Sequence, residues 1–199
     1  MEEITSYIAQ NGGFATMQEL KRANFHTRDI ANLVKENVID KIKPGVYRLS
    51  DYKFFEDINL SLITVCRAEP RAVICLISAL DFYEMTDFNP SEIYYAIPHS
   101  KKSKTIITPP VKTFYFRERF YSPGIEIIKT KYGEIRIYNK EKTVCDMFRY
   151  RNKLGEELAM QALKNYLGQK KKSIASLIKF AEICQVKTVM MPIIKSLTA

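Results

Sequence analysis

Apolar residues recur at helical spacing three times before the first hairpin signal. Ile4, Tyr7 and Ile8 share one face of a helix over 2–10. Met17, Leu20 and Ala23 line a second helix, which Thr16-Met17-Gln18-Glu19 opens in the S/T-x-x-E form of a capping box. Ile30, Leu33 and Val34 line a third over 28–37, with Thr27 as its cap. The period then drops to two. Val38 to Lys43 and Val46 to Leu49 alternate around Pro44-Gly45, a strong turn signal. Three short helices and a hairpin with a basic tip predict a winged helix-turn-helix over residues 1–50.

A second domain is expected over 51–199, with the join near Ser50-Asp51. An aromatic helix over 52–67 carries Phe54, Phe55, Ile58, Leu62 and Val65 on one stripe. A helix over 71–84 holds Val73, Ile74, Leu76, Ile77 and Leu80. It is apolar on most faces, which marks it as central. Strands are predicted over 93–97, 111–116, 125–129 and 135–138, the last two forming a hairpin around Tyr132-Gly133. Helical periodicity returns over 141–150, 156–166, 174–184 and 189–197. The fold class is therefore α+β: a winged helix-turn-helix, then a mixed α+β domain with a C-terminal helical bundle.

Composition narrows the function. With 46% hydrophobic and 27% charged residues the chain is ordinary globular protein, not a disordered one. No apolar run reaches membrane-span length, and Met1-Glu2-Glu3 is wrong for a secretion signal, so a cytoplasmic protein is expected. Cys66, Cys75, Cys145 and Cys184 lack C-x-x-C spacing and read as buried, reduced thiols, with no metal site. The net charge of +9 suggests an anionic partner. Its distribution is uneven. Residues 1–50 hold seven basic against six acidic residues, whereas 151–199 hold nine against three.

In a winged helix the third helix enters the major groove. With Ile30, Leu33 and Val34 inward, Arg28, Asp29, Asn32, Lys35 and Glu36 face outward. Arg28 can pair with guanine and Asn32 with adenine. Thr27, Lys35, Lys41, Lys43 and Arg48 are candidates for the phosphate backbone. Thr16 and Gln18, at the start of the second helix, and His26, at the turn before the third, can reach it too. Three further basic groups read either as solvated charge or as a partner or nucleic-acid surface: Lys101, Lys102 and Lys104; Lys140 and Lys142; and Lys170, Lys171 and Lys172. No glycine-rich phosphate loop or H-E-x-x-H is present. Histidine is limited to His26 and His99, and the E-x-K at Glu19-Leu20-Lys21 lies in a helix rather than on a strand. No enzyme and no cofactor are expected.

Four segments in order carry a resemblance: Pro44-Gly45-Val46-Tyr47-Arg48-Leu49, Ser78-Ala79-Leu80-Asp81-Phe82-Tyr83, Ala96-Ile97-Pro98, and Glu141 through Phe148. Together they resemble the AbiEi-type antitoxins, bacterial transcriptional regulators of abortive-infection (type IV toxin–antitoxin) operons in antiviral defence. The resemblance implies a winged helix that binds inverted repeats in double-stranded DNA at its own promoter and represses it. It also implies a C-terminal domain that antagonises a nucleotidyltransferase-like toxin without a stable complex. An inverted repeat needs two copies, so a monomer or weak dimer pairing on DNA is expected. In the segment Lys142-Thr143-Val144-Cys145-Asp146, Thr143 and Asp146 can brace a helix start, or Lys140 and Lys142 can form a partner surface. Two alternatives remain open at this level: a protein-interaction adaptor whose winged helix does not read DNA, and an antagonist whose basic C-terminal helices bind RNA.

Overall fold

The computed structural model describes residues 2–50, 58–103, 105–130 and 133–198. The expectations for Tyr52, Phe54, Phe55, Lys104 and Tyr132 lie outside them.

The N-terminal module runs α1 (Glu2–Gln10), β1 (Phe14–Thr16), α2 (Met17–Arg22), α3 (Thr27–Lys35), β2 (Ile39–Lys43) and β3 (Val46–Leu49). The three strands form an antiparallel sheet in the order β1-β3-β2. Strand β1 was not anticipated, since three residues are too few to show a period of two. The turn between β2 and β3 uses Gly45 at φ 81°, and the Gly45 carbonyl accepts from Met17 N–H at 2.9 Å, tying the hairpin tip to α2.

The capping box of α2 is complete. Thr16 Oγ1 accepts from Glu19 N–H at 3.2 Å, and the Glu19 carboxylate accepts from Thr16 N–H at 2.7 Å. Thr16→Ala should lower stability by about 1 kcal/mol, read as a lower urea midpoint at unchanged m-value. Helix α3 is not capped by Thr27, which is its first helical residue. His26 occupies the cap position and makes no side-chain hydrogen bond there.

Each face of the small sheet has its own task. Ala15, Ile39 and Tyr47 pack with Ile4, Ile8, Leu20, Ile30 and Leu33 from the three helices. Phe14, Ile42 and Val46 point the other way, into a core shared with the rest of the chain. Strand alternation produces this division from one sequence.

Beyond the module come α4 (Ile58–Ala68), β4 (Val73–Ile74), α5 (Leu76–Phe82), β5 (Ile93–Pro98), β6 (Val111–Phe116), α6 (Glu118–Tyr121), β7 (Ile125–Thr130) and β8 (Gly133–Tyr138). Helices α7 (Lys140–Arg149), α8 (Arg151–Leu154), α9 (Glu156–Gly168), α10 (Ile174–Ile183) and α11 (Lys187–Thr198) follow. The chain is thus mixed α+β. Its larger sheet has the order β6-β5-β4-β8-β7, with β5–β6 and β4–β8 parallel and β4–β5 and β7–β8 antiparallel.

The helix expected over 71–84 is corrected. Val73 and Ile74 form the central strand, and the helix begins only at Leu76, whose φ of 52° turns the chain sharply. A strand buried on both faces is continuously apolar, so its pattern matches that of a buried helix. Val73, Ala96, Phe116 and Tyr138 face a core closed by α5, α7, α9, α10 and α11, while Ile74, Tyr95, Ile97, Ile135 and Ile137 face α4 and the module. All four cysteines are free and buried, as expected.

Candidate nucleic-acid interface

Ile30 and Leu33 hold α3 against the module's core. The opposite side of the helix is wet: Thr27, Arg28, Ala31, Lys35 and Glu36 are exposed, and Asp29 and Asn32 are half-buried. The sheet's other face is covered by α4 and the large sheet. The outer face of α3 therefore points away from the bulk of the protein, the geometry a groove-entering helix requires. His26, just before α3, and Gln18, in the first turn of α2, are also exposed. Lys41 is exposed on β2, on the face it shares with Ile39, toward the helices.

Several candidates are placed differently. Thr16 has its hydroxyl and amide committed to Glu19. Lys43 is half-buried and already has an interaction partner. Arg48 is corrected outright: its side chain is 3% exposed and cannot lie on phosphate. Its guanidinium donates to Asp40 Oδ2 at 2.9 Å and to Thr64 Oγ1 of α4 at 3.4 Å. Ser50 donates to the other Asp40 oxygen at 2.8 Å. Arg48 is thus a tie between the module and α4. Two further ties lie beside it. Ile107 N–H donates to Ile42 O at 2.7 Å on the edge of β2, and the Arg67 guanidinium sits 5.8 Å from the centre of the Phe14 ring. Sequence reading missed Lys21 and Arg22, both exposed in the last turn of α2, just before α3. Their signal was two adjacent basic residues at the end of the helix that precedes α3.

The other basic groups divide as well. Lys101 and Lys102 are exposed after β5, and Lys170, Lys171 and Lys172 are exposed between α9 and α10. Lys140 is half-buried, donates to Gln169 Oε1 at 2.8 Å and lies 5.5 Å from the Tyr83 ring centre. Lys142 is corrected: it is fully buried, paired with Asp146 one turn along α7, and offers no charge to a partner. The cap of α7 is Asn139, whose Oδ1 accepts from Lys142 N–H at 2.9 Å, and not Thr143, whose hydroxyl donates to Tyr138 O at 3.2 Å.

The Lys101–Lys102 loop is anchored by a buried carboxylate. Glu69 accepts from Arg71 Nε at 2.9 Å and from Ser103 Oγ at 3.1 Å. Burial would raise the Glu69 carboxyl, but the Arg71 and Ser103 hydrogen bonds and the Arg71 charge outweigh it and hold the group below its ordinary value. A depressed folded-state pKa adds stability above the unfolded value and loses it as pH falls through the folded one. Glu69→Gln should flatten the acid side of the stability profile, measured by urea unfolding between about pH 3 and 6.

Among the described residues, no helix is long and apolar enough to cross a membrane, and no group of histidine, cysteine and carboxylate side chains is arranged to hold a metal ion. No curated protein matches the chain. Residues 2–50 match the family model described as transcriptional regulator, AbiEi antitoxin. That span ends at Ser50, one residue past β3, and covers every element of the module. The N-terminal module, about a quarter of the chain, is therefore similar to that of the AbiEi antitoxin transcriptional regulators.

Proposed function

We propose that residues 1–50 form a winged helix-turn-helix domain that reads double-stranded DNA, and that residues 51–199 form the antitoxin domain. In this reading α3 enters the major groove, with Arg28 and Asn32 on base edges and Thr27, Lys35, Lys41 and His26 along the backbone. Lys21, Arg22 and Gln18 extend the backbone contacts from α2. The observation that carries the reading is the outward face of α3: Thr27, Arg28 and Lys35 are exposed there among the described residues, and it holds the residue types that recognise bases. The regulator represses its own operon by covering inverted repeats, with two copies meeting on the DNA. Its larger domain opposes a nucleotidyltransferase-like toxin of the same operon without holding it in a stable complex.

Footprinting of the full chain on the DNA upstream of its own gene, across a salt series, tests this. Protection of an inverted repeat that survives competitor DNA is the expected result. Only salt-labile, unpositioned protection would sink the reading and turn attention to protein or RNA partners.

A further inference from the structure

A second site lies away from α3, in the larger part of the chain. A cavity of about 370 Å³ opens between α4, α5 and the stretches that lead into β5 and β6. Ser61, Asp81, Asn89, Ser91, Glu92 and Pro110 are among its walls. Ser78 and Asp81 both line it because a spacing of three puts them on one face of α5. Ser78 Oγ accepts from Tyr94 N–H at 2.9 Å, which fixes that face against β5.

Two features set this cavity apart. Among the described residues its lining carries two carboxylates and no basic side chain, in a chain of net charge +9. In addition, Asp81 Oδ2 is fully buried with no donor from the described residues within reach. Buried carboxylate oxygens are ordinarily satisfied by donors, and an unpaired one is costly. Burial pushes the Asp81 carboxyl above its ordinary value. The missing complement is a hydrogen-bond donor, and the two carboxylates of the lining favour one that carries positive charge.

We propose that this cavity binds a protonated amino or guanidino group, with Asp81 as counter-charge and Glu92, Asn89 and the Ser61 and Ser91 hydroxyls as further acceptors. The volume sits at the lower end of small-molecule sites, enough for one cationic head and its aliphatic stem. Such a group comes either on a free small polyamine or on the side chain of a partner polypeptide. The site shares no residue with the α3 surface, so it stands or falls independently of the DNA-reading proposal.

The test uses the ¹⁵N-labelled full chain, titrated separately with N-acetyl-arginine methylamide and with spermidine. Saturable shifts confined to Ser61, Ser78–Asp81 and Asn89–Ile93 are expected from at least one probe. Asp81→Asn should weaken that binding by about tenfold or more, because a charge-assisted contact is lost. It should fold at least as well as the parent, since it removes a desolvated charge. Glu92→Gln, at a half-buried loop position, provides a second variant and should weaken binding by a smaller factor. Binding should strengthen as pH rises through the raised Asp81 value and ionises the carboxyl. A response to the arginine derivative alone assigns the site to a partner's side chain; an equal or stronger response to spermidine assigns it to a free polyamine. No saturable shift with either probe, or undiminished binding by both variants, overturns the proposal.

Discussion

Asp146→Ala should destabilise this protein by about 3–5 kcal/mol, whereas replacing Lys142 and Asp146 together by Met and Leu should be close to neutral. The two side chains lie one turn apart on α7 and are both fully buried. The Lys142 ammonium lies 4.3 Å from the Tyr138 ring centre and 5.1 Å from that of Phe116, and Cys184 Sγ donates to Asp146 at 3.5 Å. Burial pushes the Asp146 carboxyl above its ordinary range, against the pull of the Lys142 charge. Removing the carboxyl strands an ammonium among aromatic rings, which attract it far less than a carboxylate does. Removing both charges together takes away their desolvation cost as well as their attraction, so the balance is nearly level. Equilibrium urea unfolding measures both variants. A loss below about 1 kcal/mol for Asp146→Ala would mean that the pair is not a closed unit of the core. The folded double variant should bind DNA as the parent does, since Lys142 has no surface to lend.

The double variant Arg28→Ala/Asn32→Ala should lose preference for its operator while keeping weak, salt-sensitive binding to any duplex. A bidentate base contact discriminates by about 1–3 kcal/mol, so two such contacts carry roughly 2–6 kcal/mol of selectivity. Arg28 should account for the larger share, because it is exposed and Asn32 is half-buried. Lys35→Ala and Lys41→Ala should instead weaken binding evenly across sequences, each lowering the salt slope by about 1. Arg48→Ala should leave the salt slope alone and reduce stability, because its charge is spent on Asp40 and Thr64. Fluorescence anisotropy on operator and scrambled duplexes at several salt concentrations separates these behaviours. An Arg28/Asn32 variant that still selects the operator would show that α3 is not the reading helix.

The ties between module and body add a mechanical consequence. Arg48 with Thr64, Ile107 with Ile42, and Arg67 with Phe14 attach one face of the small sheet to the larger part of the chain. Phe14, Ile42 and Val46 share an apolar core with α4 and the large sheet. Residues 1–50 have the elements of a small independent domain, yet the side chains on one face of their sheet are completed by residues far along the chain.

Local order was legible wherever an element is long enough to show its period and has a single buried face. That holds for α1 to α3, the β2–β3 hairpin, strands β5 to β8, and helices α7, α9, α10 and α11. The capping box at Thr16 was legible too, because its donors and acceptors lie within four residues of one another. Strands β1 and β4 were not, being three and two residues long. The fate of each charged side chain was also hidden. Lys142 and Arg48 read like any other basic residue, and what buries them comes from Tyr138 and Phe116 in one case and from Asp40 and Thr64 in the other. Asp81 looks like an ordinary helix-surface acid until α4, the approach to β5 and the prolines before β6 close around it. Sequence alone determined most of this protein's elements, their order and which face of α3 turns outward, because these follow from contacts within a few residues. Tertiary structure alone decided which charges meet solvent, since burial depends on residues brought together from distant parts of the chain.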